Sequence, residues 1–280
     1  MDKILNYPSA LLNQVRRLAL EAGDATLEFF DEAGFQNEII DKDDGSPVTI
    51  ADQTAHDIIM KGLKEITPSV SIISEEGQHD TGLCPDYFWL VDPLDGTKGF
   101  IKGDKDYTVN IGLIHQGVPI LGVVYAPAIG ELYAGGIGLG AIKYNDDTKA
   151  EKEIRVRKIL REGLTVFVSH YEGATPKRDE FISQFKIEKL VKRSSSIKQC
   201  LVAAGKGDLS FRFQFIYEWD LAAVDAIMRG AGGVITDWDN KPLAYHGLRG
   251  DLTFKGFLAH AGEMDFISIF KEIEGMIGKP

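Results

Sequence analysis

Cysteine is nearly absent: the chain has two, Cys84 and Cys200, far apart and in no metal-type spacing. That argues against a disulfide framework or a thiolate metal centre and predicts two reduced thiols in a cytoplasmic protein. Long hydrophobic runs are missing too. No uninterrupted apolar stretch reaches the roughly 18–20 residues a membrane helix requires. The opening residues Met1-Asp2-Lys3-Ile4-Leu5-Asn6 lack the charged-then-apolar order of a secretory signal. A cytoplasmic location is expected, with peripheral attachment at the inner membrane face left open. Basic charge is also short, since 31 Lys+Arg face 42 Asp+Glu for a net charge of −11. Such an acidic total argues against nucleic-acid polymers and anionic bilayers as partners. It leaves small anionic ligands open, because a local site can oppose the global sign. No internal repeat or low-complexity segment is present. With 44% hydrophobic and 26% charged residues the 280-residue chain has an ordinary globular balance, at a length that allows two subdomains.

Apolar spacing predicts where the elements lie. Leu11, Leu12, Val15, Leu18, Ala19, Ala22 and Phe29 recur at helical spacing, with Ser9 as the expected N-cap. A second helix is predicted from Val48-Thr49-Ile50-Ala51-Asp52, striped by Ala55, Ile58, Ile59 and Leu63 and stopped by Pro68. Residues 70–74 and 87–91 read as short strands, and residues 107–144 as a meander with turns at Gln116-Gly117, Pro127 to Gly130 and Gly135-Gly136. The polar stretch Asn145 to Glu153 is the expected boundary between an N-terminal α+β half, residues 1–150, and a C-terminal α/β half, residues 151–280. Beyond it strands near 165–169, 189–192, 209–215, 234–237 and 252–259 alternate with helices from about Lys177, over 197–205, over 220–230 and from about Glu263. The glycine-rich Gly135 to Gly140 lacks the spacing of a nucleotide loop and reads as a turn.

Three groups of acids sit where apolar elements end or begin. Glu75-Glu76-Gly77 follows one strand, Asp92-Pro93-Leu94-Asp95-Gly96-Thr97 follows another, and Trp219-Asp220-Leu221 opens a helix. Pro93 holds Asp92 extended, so Asp92 and Asp95 flank one rigid corner. Two carboxylates three residues apart, with the Leu94 carbonyl between them, can share a hard cation such as Mg²⁺. Alone, that string fits a plain turn with an Asp cap as well as a metal site. Gly96 permits close backbone approach, and amides at a following helical start point towards an anion. Asp52 and Asp220 individually also read as helix-start acids, and His79 as an exposed loop histidine. The placement of all these acids at element edges is where α/β proteins build sites.

The residues Val91 to Thr97, Glu218-Trp219-Asp220-Leu221-Ala222-Ala223 and Gly232-Gly233 resemble the two signatures of the inositol monophosphatase superfamily. Ser74 to Gly77 and Val48 to Asp52 match its two other motifs in order. Within it the chain is most similar to the 3′(2′),5′-bisphosphate nucleotidases, through Asp95 to Ile101, Val109 to Ile114, Gly122 to Pro127 and Ser195 to Asp208. One departure is Gly99, where those nucleotidases usually carry Glu.

The resemblance implies a layered α-β-α-β-α sandwich of the sugar-phosphatase type and hydrolysis of adenosine 3′(2′),5′-bisphosphate to AMP and phosphate. It implies two or three Mg²⁺ ions held by Glu75, Asp92, Asp95, Asp220 and the Leu94 carbonyl. Asp52 and Thr97 would activate the attacking water, and Gly96 and Thr97 would seat the scissile phosphate. His170, Ser195, Lys198 and Arg212 would contact the nucleotide and its second phosphate. Inhibition by Li⁺ is a further implication. From below, each of Lys198, Arg212 and His170 also fits a solvated side chain. The chemistry needs no Cys or His nucleophile, and direct water attack with inversion at phosphorus is expected. An inositol monophosphatase or other sugar-phosphate phosphatase is the alternative, and a metal-binding regulatory protein without turnover is a third reading. Monomer and homodimer both remain open.

Overall fold

The inner strands of the larger, seven-stranded sheet alternate their residues between two apolar layers. The computed structural model describes residues 2–35, 39–41, 47–77, 86–158, 162–171 and 173–262. His79, Cys84 and the helix expected from Glu263 lie outside these. Helix α1 (Pro8–Leu27) is followed by a short ribbon of β1 (Ile39–Asp41) and β2 (Pro47–Thr49), then α2 (Ile50–Ile66). The sheet runs β3 (Ser71–Ser74), β4 (Tyr87–Asp95), β5 (Thr108–His115), β6 (Val118–Ala126), β7 (Glu131–Gly136), β8 (Gly140–Asn145) and β9 (Ala150–Glu153), in that spatial order. Only β3 and β4 pair in parallel; the rest is an antiparallel meander. One helical turn, α3 (Thr97–Phe100), links β4 to β5.

The second half supplies β10 (Leu164–Ser169), α4 (Pro176–Ser183), β11 (Ile187–Arg193), α5 (Ile197–Ala203), β12 (Leu209–Arg212), β13 (Ile216–Tyr217), α6 (Glu218–Gly230), β14 (Val234–Thr236), β15 (Thr253–Phe254) and β16 (Phe257–His260). Its five-stranded sheet has the order β11-β10-β12-β16-β14, while β13 and β15 form a separate ribbon.

Period-two burial sorts these elements into five layers. Trp89, Val91, Val109, Ile111, Val123 and Tyr125 pack with the stripes of α1 and α2. Phe88, Leu90, Ile114 and Val124, on the other face of the same strands, pack with α5 and α6. Phe167, Ile235 and Ala259 of the second sheet close that middle layer from beyond. Val166, Val168, Phe211 and Leu258 face outward onto Phe181 of α4. The order is helix, sheet, helix, sheet, helix, as the resemblance implies. In the middle layer α6 sits close to the first sheet through small residues. A Cβ at Gly112 would lie 2.8 Å from the Ala223 amide nitrogen, and one at Gly122 would overlap the Ala223 carbonyl.

Several local expectations are corrected. Ser9 is not a cap: α1 begins at Pro8, whose missing N–H costs nothing there, and Tyr7 holds the cap position without a side-chain bond. Gly135 and Gly136 are not the turn but the end of β7, paired with Ala141 and Gly140, and the turn is Ile137 to Leu139. The strand expected over 209–215 leaves the sheet after Arg212, whose carbonyl accepts from the Trp238 indole at 3.2 Å. The strand expected over 252–259 is cut by Gly256, where φ is +100°. The polar stretch 145–153 is the last hairpin of the first sheet.

Candidate active site

Asp52 and Asp220 occupy the same position in two different helices. Each is the third residue after its cap, and each carboxylate turns back to the cap amide: Asp52 Oδ2 accepts from Thr49 N at 2.8 Å, and Asp220 Oδ2 from Tyr217 N at 3.4 Å. The geometry follows from the free N–H groups of a helix start, which favour an acid there. Thr49 Oγ1 also donates to Asp52 Oδ2, at 2.7 Å. The other oxygen, Asp52 Oδ1, accepts from Thr97 Oγ1 at 3.0 Å. So Asp52 and Thr97, 45 positions apart in the chain, do meet.

Thr97 is delivered by the corner at the end of β4. Leu94 N donates to Asp92 Oδ1 at 3.0 Å, which fixes the Asp-Pro turn. Gly96 then takes φ +98°, open to glycine and strained for other residues, and a side chain there would overlap the Ser195 hydroxyl. Ser195 itself sits at φ +49° and donates to the Asp95 carbonyl at 2.8 Å. From that corner Thr97 Oγ1 can give its one proton to Asp52 or to the Leu94 carbonyl, at 3.2 Å.

Carboxylate oxygens of Glu75, Asp92 and Asp220 all lie within 4.8 Å of one another, the one such group among the described residues. Glu75 stands just past β3, Asp92 near the end of β4 and Asp220 on α6, so three elements converge. Burial first, and then the neighbouring carboxylates, push Asp92 and Asp220 well above the ordinary carboxyl range. Among those neighbours the Glu75 carboxylate has the largest effect on Asp92. Asp95 adds its charge to this field but has a different set of partners: Oδ2 accepts from Ser196 N at 2.8 Å and from Ser196 Oγ at 3.0 Å. Burial raises the Asp52 carboxyl as well, opposed by its Thr49 and Thr97 hydrogen bonds. Like-charged oxygens this close require a proton or a cation between them. An all-oxygen donor set suits a hard divalent ion. The residues therefore fit the metal the resemblance implies, with Leu94 O on the same corner.

A cavity of about 400 Å³ opens beside these acids. Glu75, Asp92, Leu94, Asp95, Gly96, Thr97 and Asp220 line one side, and Ser195, Lys198 and Arg212 another. Lys198 Nζ folds back to donate to the Ser195 carbonyl at 2.7 Å. Asp52 lies behind Thr97, 1% exposed. His170, expected among the substrate contacts, is exposed, and its neighbours Ser169 and Tyr171 line the cavity instead. Trp219 stacks on Tyr217, ring centroids 4.5 Å apart.

Sequence reasoning gave no separate role to Thr49, Asn110, Ser196 or Tyr171. Thr49 had a signal, since Thr-x-x-Asp before an apolar stripe is close to a capping box. Asn110 had one too, as a fully buried amide within the apolar run of β5. Its Nδ2 donates to Ser196 Oγ at 3.0 Å.

Five layers thus bring an acidic corner that fits a divalent cation beside Lys198 and Arg212 in one cavity. Residues 9–262 match the model of the inositol monophosphatase family, and the chain belongs to that family. It is 40% identical over 237 residues to 3′(2′),5′-bisphosphate nucleotidase CysQ of Escherichia coli K12, covering 84% of this chain and 94% of that protein. The structure of CysQ from Bacteroides thetaiotaomicron superposes with a TM-score of 0.75 at 32% identity, covering 93% of this chain and 100% of the other. A Thermotoga maritima IMPase gives 0.77 at 24% identity over 96% of this chain and 100% of that one, a likeness of fold alone.

Proposed function

We propose that this chain is a Mg²⁺-dependent 3′(2′),5′-bisphosphate nucleotidase that releases phosphate from adenosine 3′(2′),5′-bisphosphate to leave AMP. The observation that carries the reading is one cavity with two chemistries: Asp52–Thr97 and the Glu75–Asp92–Asp220 cluster on one side, Lys198 and Arg212 on the other. The likeness to CysQ nucleotidases supports the choice of substrate.

A bound divalent cation supplies charge neutralisation and a water of lowered pKa. The protein's own groups do the rest. The Thr97 hydroxyl takes a proton from the attacking water while passing its own to Asp52 Oδ1 at 3.0 Å. Burial lifts the Asp52 carboxyl, which makes it a better proton acceptor than a surface acid. The Gly96 and Thr97 amides, at the start of α3, face the scissile phosphate. Lys198 and Arg212 meet the phosphate that stays.

A panel of adenosine 3′,5′-bisphosphate, AMP and inositol monophosphate, run with and without Mg²⁺ and Li⁺, tests this. The expected result is Mg²⁺-dependent, Li⁺-sensitive phosphate release with the bisphosphate preferred. Preference for inositol monophosphate would replace the reading with a sugar-phosphate phosphatase. No metal-dependent release from any of the three would leave a binding protein.

A further inference from the structure

At one wall of the cavity a tyrosine ring packs closely on a glycine of α3. Tyr171, just past β10, lines the cavity and is 41% exposed. Its ring lies against Gly99: a Cβ at that glycine would be 3.2 Å from Tyr171 Cε2 and 3.3 Å from its hydroxyl oxygen. The phenol is pinned in that place. It donates to Asp104 Oδ2 at 3.1 Å, and the same oxygen accepts from Ser194 Oγ at 2.9 Å. Ser194 N in turn donates to Asp106 Oδ2 at 2.8 Å, and Arg193 grips that carboxylate with two nitrogens. Lys102 Nζ stands 5.1 Å from the ring centroid. A tyrosine fixed at its tip and carrying a cation keeps one orientation, so its ring surface is preorganised and not swung to order.

We infer that Tyr171, seated against Gly99, is a specificity-determining residue: its ring forms the wall that holds the nucleobase of the substrate. This rests on the nucleotidase reading and deepens it. Gly99 lies two residues past Thr97, and both line the same cavity as Tyr171, so the wall stands beside the phosphate seat. Aromatic faces take up bases without needing hydrogen-bond readout, and losing one such contact reduces binding roughly 5- to 150-fold. A phosphate substrate without a base has nothing to place there. Tyr217 also lines the cavity, stacked in parallel on Trp219, and its alanine variant separates the two rings in the test.

The test compares kcat/KM for adenosine 3′,5′-bisphosphate with that for ribose 3,5-bisphosphate, which has the phosphates and no base. Both are read on the same protein sample, so a partly misfolded variant does not shift the ratio. Tyr171→Ala is expected to lower the ratio about tenfold, and Tyr171→Phe to keep it within about threefold. Gly99→Ala, whose methyl pushes the ring aside, is expected to lower the ratio in the parent and to leave it unmoved in Tyr171→Ala, the non-additivity of residues in contact. An unchanged ratio in Tyr171→Ala, or a ratio that falls only in Tyr217→Ala, overturns the inference while the nucleotidase reading stands. Failure of the unsubstituted protein to hydrolyse the nucleotide overturns both. A Gly99→Ala effect that persists without Tyr171 removes the glycine from the wall.

Discussion

The backbone N–H of Ser196 donates to Asp95 Oδ2 at 2.8 Å, across 101 positions of sequence. The Ser196 hydroxyl lies 3.0 Å from the same oxygen and 3.0 Å from the Asp220 carbonyl. One serine thus ties the β4 corner to α6. Groups that orient ligating carboxylates typically change metal affinity or activity 10- to 100-fold when removed. Ser196→Ala is expected to raise the Mg²⁺ concentration for half-maximal phosphate release at least tenfold. A half-saturation equal to the parent's would mean that Asp95 needs no such support.

Asp52→Asn keeps an oxygen for the helix cap but loses the base. Turnover at saturating Mg²⁺ and substrate is expected to drop by about 10²- to 10⁴-fold, the usual worth of general base catalysis. Thr97→Ala breaks the same relay, and Thr97→Ser restores most of it. Thermal melting run beside the kinetics separates lost chemistry from lost fold. Asp52→Asn with near-parent turnover sinks the base assignment.

The basic wall predicts a split between substrates. Lys198→Ala and Arg212→Ala each remove a charged donor, of the kind worth about 1.5–3 kcal/mol or roughly tenfold and more in binding. KM for adenosine 3′,5′-bisphosphate is expected to rise at least tenfold more than KM for a monophosphate. Equal rises for both substrates would place these residues outside the second-phosphate seat.

Packing gives a prediction on stability. The methyl of Gly122→Ala would overlap the Ala223 carbonyl of α6. Overpacking of this sort costs typically about 1–3 kcal/mol. A lower urea midpoint is expected, together with a higher Mg²⁺ concentration for half-maximal activity, because Asp220 rides on the displaced helix. An unshifted midpoint would show that α6 can move without cost.

His260 carries a pH dependence. Burial lowers its pKa from 6.5 to about 4. The unfolded chain therefore binds this proton more readily than the folded one, so the stability is present in full above about pH 6.5 and is lost as pH falls towards about 4. Between pH 7 and pH 5 the loss is about 2 kcal/mol. Urea unfolding at both pH values should show a smaller drop for His260→Gln than for the parent. Identical drops would assign the acid sensitivity to other groups.

What the sequence made legible is the edge chemistry. The apolar runs of β3 and β4 break on Glu75 and Asp92, and the stripes of α2 and α6 begin around Asp52 and Asp220, so the candidate acids could be named. Which acids are ligands and which are structural was less legible. Asp225 lies five residues after Asp220 on the same helix. It is spent on Arg229 at 2.8 Å, a partner one turn away, and on Tyr245 at 3.1 Å, a partner no local pattern suggests. Asp104 and Asp106, between α3 and β5, anchor residues 67 to 90 positions distant, which no local pattern suggests. At His170 and Tyr171 neighbouring side chains point differently, so whether one or the other enters the cavity depends on how the chain leaves β10. Spacing alone does not say. Cys200 is a buried free thiol, as its isolation in the sequence suggested. No helix among the described residues is long and apolar enough to cross a membrane.

The contact of α6 with Gly112 and Gly122 has a consequence for the order of synthesis. Glu75, Asp92 and Asp95 leave the ribosome early, on strands that can already pair with their neighbours. Ser196 and Asp220 arrive only after more than a hundred further residues. Until α6 settles into the shallow groove over those glycines, Glu75 and Asp92 lack the Asp220 carboxylate that completes their cluster. A half-translated or wrongly docked chain thus holds an incomplete acidic cluster. The same event that closes the middle of the molecule completes that cluster.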